Sequence, residues 1–202
     1  MSNYFITGIG TNIGKTVVSA ILTEALEADY WKPIQAGDLE NSDSLKVKEL
    51  ISNSTSKIHT ESYRLSHAMS PHAAAKLDNI TIDLDKITLP KTQNNLIIEG
   101  AGGLMVPVND KDLIIDLIKK LNVEVILVSQ NYLGSINHTL LSLESLKVRK
   151  LKVKGIIFNG EPNIETEKFI LNFTGLTYIG RIKQHDAISK EIVLSYKNQI
   201  HL

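Results

Sequence analysis

Residues 8–16 read "GIGTNIGKT", and what this stretch binds decides what kind of fold surrounds it. A phosphate-binding loop follows G-x-x-x-x-G-K-[ST]. Counting back from Gly14 puts Ile9 where the first glycine belongs, with Gly8 and Gly10 on either side. The same letters also spell G-x-G-x-x-x-G, close to a dinucleotide fingerprint. Three readings compete: a steric turn, a hydride-transfer site and a triphosphate cradle.

A steric turn accounts for the glycines but not for Lys15 and Thr16 directly after Gly14. A helix starting there presents unpaired N–H groups and a positive dipole end, which repels a lysine unless an anion lies between them. A dinucleotide site asks for an acidic residue about 20 residues on, to grip a ribose hydroxyl. Here the second apolar run ends "YWKP" (30–33) instead, and none of the six tyrosines has lysine four positions later. In the triphosphate cradle, N–H groups of 12–17 hold phosphates, Lys15 neutralises the β/γ oxygens and the Thr16 hydroxyl takes Mg²⁺. The extra residue lengthens the first half of the loop.

Outward from the loop, short apolar runs alternate with segments of helical length. The runs are 4–7, 29–33 (the weakest), 95–100, 123–129, 153–159 and 176–180. Their near-continuous apolar character predicts strands covered on both faces. Between them, Val17, Ile21, Leu22 and Ala25 share one helical face. So do Leu113, Leu117, Ile118 and Leu121, and again Ile136, Leu140, Leu143 and Leu146. The expected fold is α/β: one P-loop NTPase-like domain over 1–202, three-layered, with a mostly parallel central sheet flanked by helices. Residues 34–94 are polar and turn-rich, and read as a long functional excursion between sheet strands with two or three helices.

Bulk composition is that of an ordinary globular protein, with 43% apolar and 22% charged residues. Lys+Arg and Asp+Glu both number 22, so no basic field points to nucleic acid or a membrane surface. Cysteine is absent, which excludes disulfides and thiolate-bound metal. The start lacks a basic segment followed by a long apolar run, and no stretch nears the roughly 20 apolar residues of a bilayer span. A cytoplasmic protein is expected.

A triphosphate site also needs a metal-binding acid. Glu99 supplies one in "LIIEGAGG" (96–103), where a buried strand meets glycines. A carboxylate there is costly in a core and useful beside Mg²⁺. In "KPIQAGDLENSDS" (32–44), Lys32 ends a short strand and Asp43 opens the next helix. Ligands of open α/β sheets bind beyond the carboxyl ends of the strands. The loop, Lys32, Glu99, Asn159 and Gly180 all fall at such ends, so one crevice is expected to hold them.

Taken together, "TGIGTNIGKT", "KPIQAG", "NSD", "EGAGGLMVP", "LGSINH" and "IFNG", in this order, resemble the dethiobiotin synthetases of biotin biosynthesis. The resemblance runs from residue 4 to about 160, with a weaker tail to about 185. It implies an ATP- and Mg²⁺-dependent reaction of diaminopelargonic acid (7,8-diaminononanoate) with CO₂, through a carbamate and a carbamic phosphate, to a cyclic urea. By the same resemblance, Thr11, Lys15 and Lys32 serve the reacting groups, and Asn12, Ile13, Gly14, Lys15, Thr16 and Val17 bind the ATP phosphates. Thr16, Asp43 and Glu99 hold Mg²⁺. Glu99, Gly100, Ala101 and Gly102 line the ATP site, while Asn159, Gly160, Ile182, Lys183 and Gln184 surround the adenine. Ala36 contacts substrate, and a homodimer brings Leu133, Gly134, Ser135 and Asn137 to the partner's substrate site.

Three positions depart from the family pattern: Ala36, often Ser or Thr; Asn12, often an acid; and Ile182-Lys183, often Ile-Pro. Two other functions share the loop. P-loop switch proteins use ATP to control dimerisation, but commonly carry an early second lysine where this chain has Gly8, Ile9 and Gly10. A ring- or amide-forming ligase on another carboxylate would share most of the site.

Overall fold

The computed structural model describes all 202 residues. Seven strands make one wholly parallel sheet: β1 (Asn3–Gly8), β2 (Asp29–Trp31), β4 (Ile58–His59), β6 (Leu96–Gly103), β7 (Glu124–Gln130), β8 (Val153–Asn159) and β9 (Tyr178–Ile182), in the order β4-β2-β6-β1-β7-β8-β9. A small parallel pair, β3 (Ile34–Ala36) and β5 (Tyr63–Leu65), stands apart. The helices are α1 (Lys15–Leu26), α2 (Asp43–Leu50), α3 (Pro71–Leu77), α4 (Ile114–Leu121), α5 (Ser135–Val148), α6 (Ile164–Thr174) and α7 (Lys190–Ser195).

The continuous apolar runs serve two cores at once, because successive strand residues point to opposite faces. Tyr4, Ile6, Ile97, Ile126 and Ile157 pack with Val18, Ile21 and Leu22 of α1 and Val193 of α7. Phe5, Ile98 and Val125 pack on the other face with Ile114, Leu117 and Ile118 of α4. Burying each such side chain contributes about 1.5–3 kcal/mol. The three-layer α/β expectation is met. Of the face expected of α4, Leu117, Ile118 and Leu121 are buried, whereas Leu113 precedes the helix in extended conformation and is half-buried.

Other expectations shift. Helix α1 packs against the sheet, α2 and α7, so it is buried nearly all round. Val18 fills the core, whereas Val17 turns toward a surface cleft. Residues 34–94 hold two α-helices and two 3₁₀ turns (Leu39–Asn41 and Leu84–Lys86). They also add β4 to the edge of the main sheet, so the excursion is not wholly outside it. Strand β9 runs through to Ile182, so Gly180 lies within the strand and not at its end. A Cβ at Gly180 would come 3.1 Å from the Gln199 carbonyl. That glycine answers a close approach of the C-terminal segment and does not join the crevice.

Asp29 ties the sheet edge together. Its buried carboxylate accepts hydrogen bonds from the Lys57 N–H at 3.0 Å and from Asn94 Nδ2 at 2.9 Å, and pairs with His59 Nε2 at 2.7 Å. Burial opposes its charge, but donors on Asn94, Lys57, Thr92 and His59 outweigh burial and hold its pKa below the ordinary value. The stabilisation is therefore present above the unfolded value of about 4 and is lost as pH falls through the lower folded value. Asp29→Ala should reduce unfolding free energy by about 3 kcal/mol at neutral pH, and the deficit should shrink below pH ~4, as read from urea midpoints across that range.

Candidate active site

The loop joining β1 to α1 turns through two left-handed residues, Asn12 (φ 58°) and Gly14 (φ 86°). Gly14 is required there twice over. Its φ disfavours a side chain, and a Cβ would lie 2.3 Å from Asn159 Nδ2. Asn159, at the end of β8, donates from that Nδ2 to the Ile13 carbonyl at 3.0 Å, tethering the loop to the sheet. The Ile13 side chain is buried in the core, so at that position only the backbone can face a ligand.

Lys15 opens α1 and is itself buried, its Nζ donating to the Gly10 carbonyl at 2.8 Å. Burial, aided by the nearby Lys32 charge, lowers its pKa to about 8 despite Glu99 and Asp43. Thr16 Oγ1 donates to Glu99 Oε1 at 2.9 Å. Lys32, just beyond β2, sits 2.6 Å from Asp43 Oδ2 and 3.1 Å from Glu99 Oε1. Burial works against its charge, but the two carboxylates more than offset it and raise its pKa. Burial likewise opposes ionisation of Asp43, and Lys32 outweighs it, lowering the Asp43 pKa.

Glu99 is 1% exposed, on the sheet face that carries α1. Its second oxygen, Oε2, accepts from the Tyr30 hydroxyl at 2.9 Å. Strand β6 does not stop at Glu99 but continues to Gly103, with a register shift opposite β1 between Ile6 and Gly8. Asp43 is the first residue of α2, whose cap is Ser42, accepting from the Leu45 N–H. The buried Gln35 side chain fixes this corner, accepting from the Asp43 N–H at 3.2 Å and donating to the Gly37 carbonyl at 2.9 Å.

These groups face one cleft of about 820 Å³. Of the residues singled out in the sequence, Thr11, Asn12, Gly14, Lys15, Thr16, Val17, Lys32, Ala36, Asp43, Glu99, Gly100, Ala101 and Gly102 line it. Asp38, Lys46 and the 68–71 segment, which sequence reasoning missed, form its far wall. Asn159 meets the cleft only through the loop it tethers. Gly160 donates its N–H to the Ile182 carbonyl at 2.7 Å, and the Ile182 side chain is in the core. Lys183 and Gln184 are exposed beyond β9, and the Lys183 N–H is taken by the Tyr196 hydroxyl at 2.9 Å. Leu133, Gly134, Ser135 and Asn137 do not line the cleft of their own chain.

Two carboxylates and a hydroxyl form a sparse, hard oxygen set. That donor chemistry fits Mg²⁺, which usually takes one or two carboxylates and completes its shell with water and substrate phosphates. No group of three or more His, Cys, Asp or Glu side chains converges on a metal position, and no helix is long and apolar enough to cross a membrane.

The AAA domain family profile matches residues 2–191. The ATP-dependent dethiobiotin synthetase BioD of Christiangramia forsetii is 55% identical over 96% of this chain and 93% of its own length. That of Cytophaga hutchinsonii is 54% identical over 97% and 95%. Among solved structures, a ParA family ATPase from Chlorobium tepidum superposes with a TM-score of 0.61 at 14% identity, covering 100% of this chain and 99% of its own. The cell division ATPase MinD of Pyrococcus furiosus reaches 0.61 at 12% identity, over 98% of each chain. At such low identity these two speak for the P-loop ATPase fold alone. The relatives in sequence are decisive: the chain belongs to the dethiobiotin synthetase family of ATP-dependent ligases.

Proposed function

We propose that the cleft carries out the ATP- and Mg²⁺-dependent carboxylation and ring closure of 7,8-diaminononanoate to dethiobiotin, releasing ADP and phosphate. The observation that carries this reading is the convergence of Lys15, Thr16, Lys32, Asp43 and Glu99 on one cleft. One amine of the substrate takes up CO₂ as a carbamate and loses a proton. A carbamate oxygen attacks the γ-phosphorus of ATP, and ADP leaves. The second amine then attacks the carbamic-phosphate carbon, phosphate leaves with the C–O bond electrons, the nitrogen releases a proton, and the urea ring closes.

The chain's contribution is positioning and charge neutralisation. N–H groups of 12–17 cradle the phosphates. Lys15 exchanges the Gly10 carbonyl for a phosphate oxygen, and Lys32 turns from the carboxylates to the carbamate and γ-phosphate, beside Thr11. Thr16, Asp43 and Glu99 would hold Mg²⁺, which when bound neutralises the phosphate charge during transfer. Gly100, Ala101 and Gly102 let backbone approach the nucleotide. Asn159, whose amide oxygen is not used by the Ile13 tether, reads the adenine with Gly160 and the 182–184 turn, mainly through backbone. With Ala36 offering no hydroxyl, the substrate finds its hydrogen bond there on backbone or on Gln35. Residues 34–94 act as a functional wall of the single domain.

Because Leu133–Asn137 stand outside their own cleft, a homodimer with these residues completing the partner's site is the natural arrangement. Met105, Tyr132, Leu133 and Leu141 are exposed apolar side chains, and Gly134 precedes a helix start suited to the substrate carboxylate. On this reading the partners are small molecules and a second copy of the chain, in the cytoplasm.

Product identification tests the reaction directly. With Mg-ATP, bicarbonate and the diamine, dethiobiotin should form and ADP release should depend on the diamine; diamine-independent ADP release would defeat the proposal. Lys32→Ala should lower kcat about 100-fold or more while circular dichroism stays native.

Lys15 predicts opposite pH trends for binding and stability. Its folded pKa of about 8 lies below the ordinary lysine value of 10.5, so between these values the unfolded chain binds the extra proton and stability rises with pH. Nucleotide affinity needs the ammonium and should fall above about pH 8. Calorimetry of ADP binding near that pH should show proton uptake, which Lys15→Met should abolish.

Light scattering should give twice the 22.4 kDa chain mass with or without ATP. A monomer that dimerises only with ATP would favour a nucleotide switch instead.

A further inference from the structure

Tyr30 is a fully buried hydroxyl that the reaction above does not use. It lies on β2, two residues before Lys32, which follows the end of the strand, and both side chains reach Glu99. In the sheet Tyr30 pairs with Ile97 of β6, and Glu99 is two residues further along on the same face as Ile97. The phenol therefore reaches diagonally along the sheet to the carboxylate, ending 2.9 Å from Oε2. The two Glu99 oxygens have divided surroundings. Oε1 meets Thr16 and Lys32 at the cleft, whereas Oε2 meets only the Tyr30 hydroxyl in the interior.

We propose that Tyr30 is a positioning residue for the phosphoryl-transfer site, its hydroxyl holding Glu99 Oε2 inward so that Oε1 is presented to the cleft. The inference rests on the reading that Glu99 holds Mg²⁺ together with Thr16 and Asp43. Three features make Tyr30 suited to the task. A carboxylate buried on a strand rotates freely about its last bond unless both oxygens are engaged, and the phenol engages the one that nothing else reaches. An ordinary phenol keeps its proton up to about pH 10, and the 2.9 Å contact places that hydroxyl to donate to the carboxylate. The aromatic ring is locked in the core beside Ile97, which makes the hydroxyl a fixed point. Partners that orient metal-binding carboxylates in this way typically contribute 10–100-fold in metal affinity.

The test is an Mg²⁺ titration of ADP binding, read by calorimetry without turnover, on the full-length protein. Tyr30→Phe keeps the ring and removes only the donor. It should raise the half-saturating Mg²⁺ concentration about tenfold, with ADP affinity in the absence of Mg²⁺ unchanged. Trp31→Phe removes the neighbouring donor to the Thr60 carbonyl, and controls for a general loosening of β2. It should lower the melting temperature without moving the Mg²⁺ midpoint. Glu99→Gln separates the two readings. If it leaves the midpoint unchanged, Glu99 does not hold Mg²⁺ and the underlying reading falls. If Glu99→Gln moves the midpoint but Tyr30→Phe does not, the positioning role of Tyr30 is overturned. Should Tyr30→Phe fold poorly, Tyr30→4-aminophenylalanine, which keeps the ring and places an N–H donor where the hydroxyl was, should hold the midpoint closer to wild type than Tyr30→Leu does; equal midpoints for these two would likewise overturn it.

Discussion

A carboxylate has been placed in the interior of a parallel sheet, and the rest of the cleft answers that one expense. Glu99 projects from β6 with almost no contact with solvent. An isolated charge at such depth would cost several kcal/mol or would neutralise itself. It is kept by Lys32, Thr16 and Tyr30, from two other elements. Lys32 is in turn shared with Asp43, so one ammonium binds the end of β2, the middle of β6 and the start of α2. Removing Lys32 leaves the buried Glu99 without its counter-charge, whereas removing either carboxylate still leaves Lys32 paired with the other.

The sheet topology explains why these pieces meet. With all strands parallel, every carboxyl end lies at one edge, and the loops that leave it share one space. The excursion after β2 closes that space from the far side. Gly37 is central to this closure: in its left-handed conformation it lies so near the 68–71 wall that a Cβ would sit 2.4 Å from the Ala68 Cα. The wall is therefore built on backbone contact, with Gln35 bracing Gly37 and Asp43 from beneath.

Much of this was legible before any coordinates. The bounds of β8 match its apolar run, because a strand covered on both faces has to be apolar throughout. Lys32 and Asp43 stand out because a charge at a strand end or helix start has a reason to be there; Glu99 stands out as an acid in an apolar run, although it lies in the middle of β6 and not at the strand end expected of it. Other features carried no local signal. Two residues suffice for β4, and they owe their state to pairing with β2. Gly180 mimicked a strand end because a glycine admitted for close packing spells the same letter as one admitted for a turn. Tyr30 reads as a core aromatic, and its role depends on the strand register, which one sequence does not spell out. The same holds for Leu133–Asn137, whose distance from the cleft depends on where α5 begins in space.

Gly14 and Asn159 lie far apart in the chain yet touch across the loop that joins β1 to α1. The tether from Asn159 to Ile13 occupies the space that any side chain at position 14 would need. The two positions are thus one unit of variation in evolution. A lineage can alter Gly14 only after shortening residue 159, and shortening residue 159 first gives up the tether and the loop's fixed shape. Even with residue 159 shortened, the left-handed φ of 86° still disfavours a side chain at position 14, so space and backbone conformation hold the glycine together.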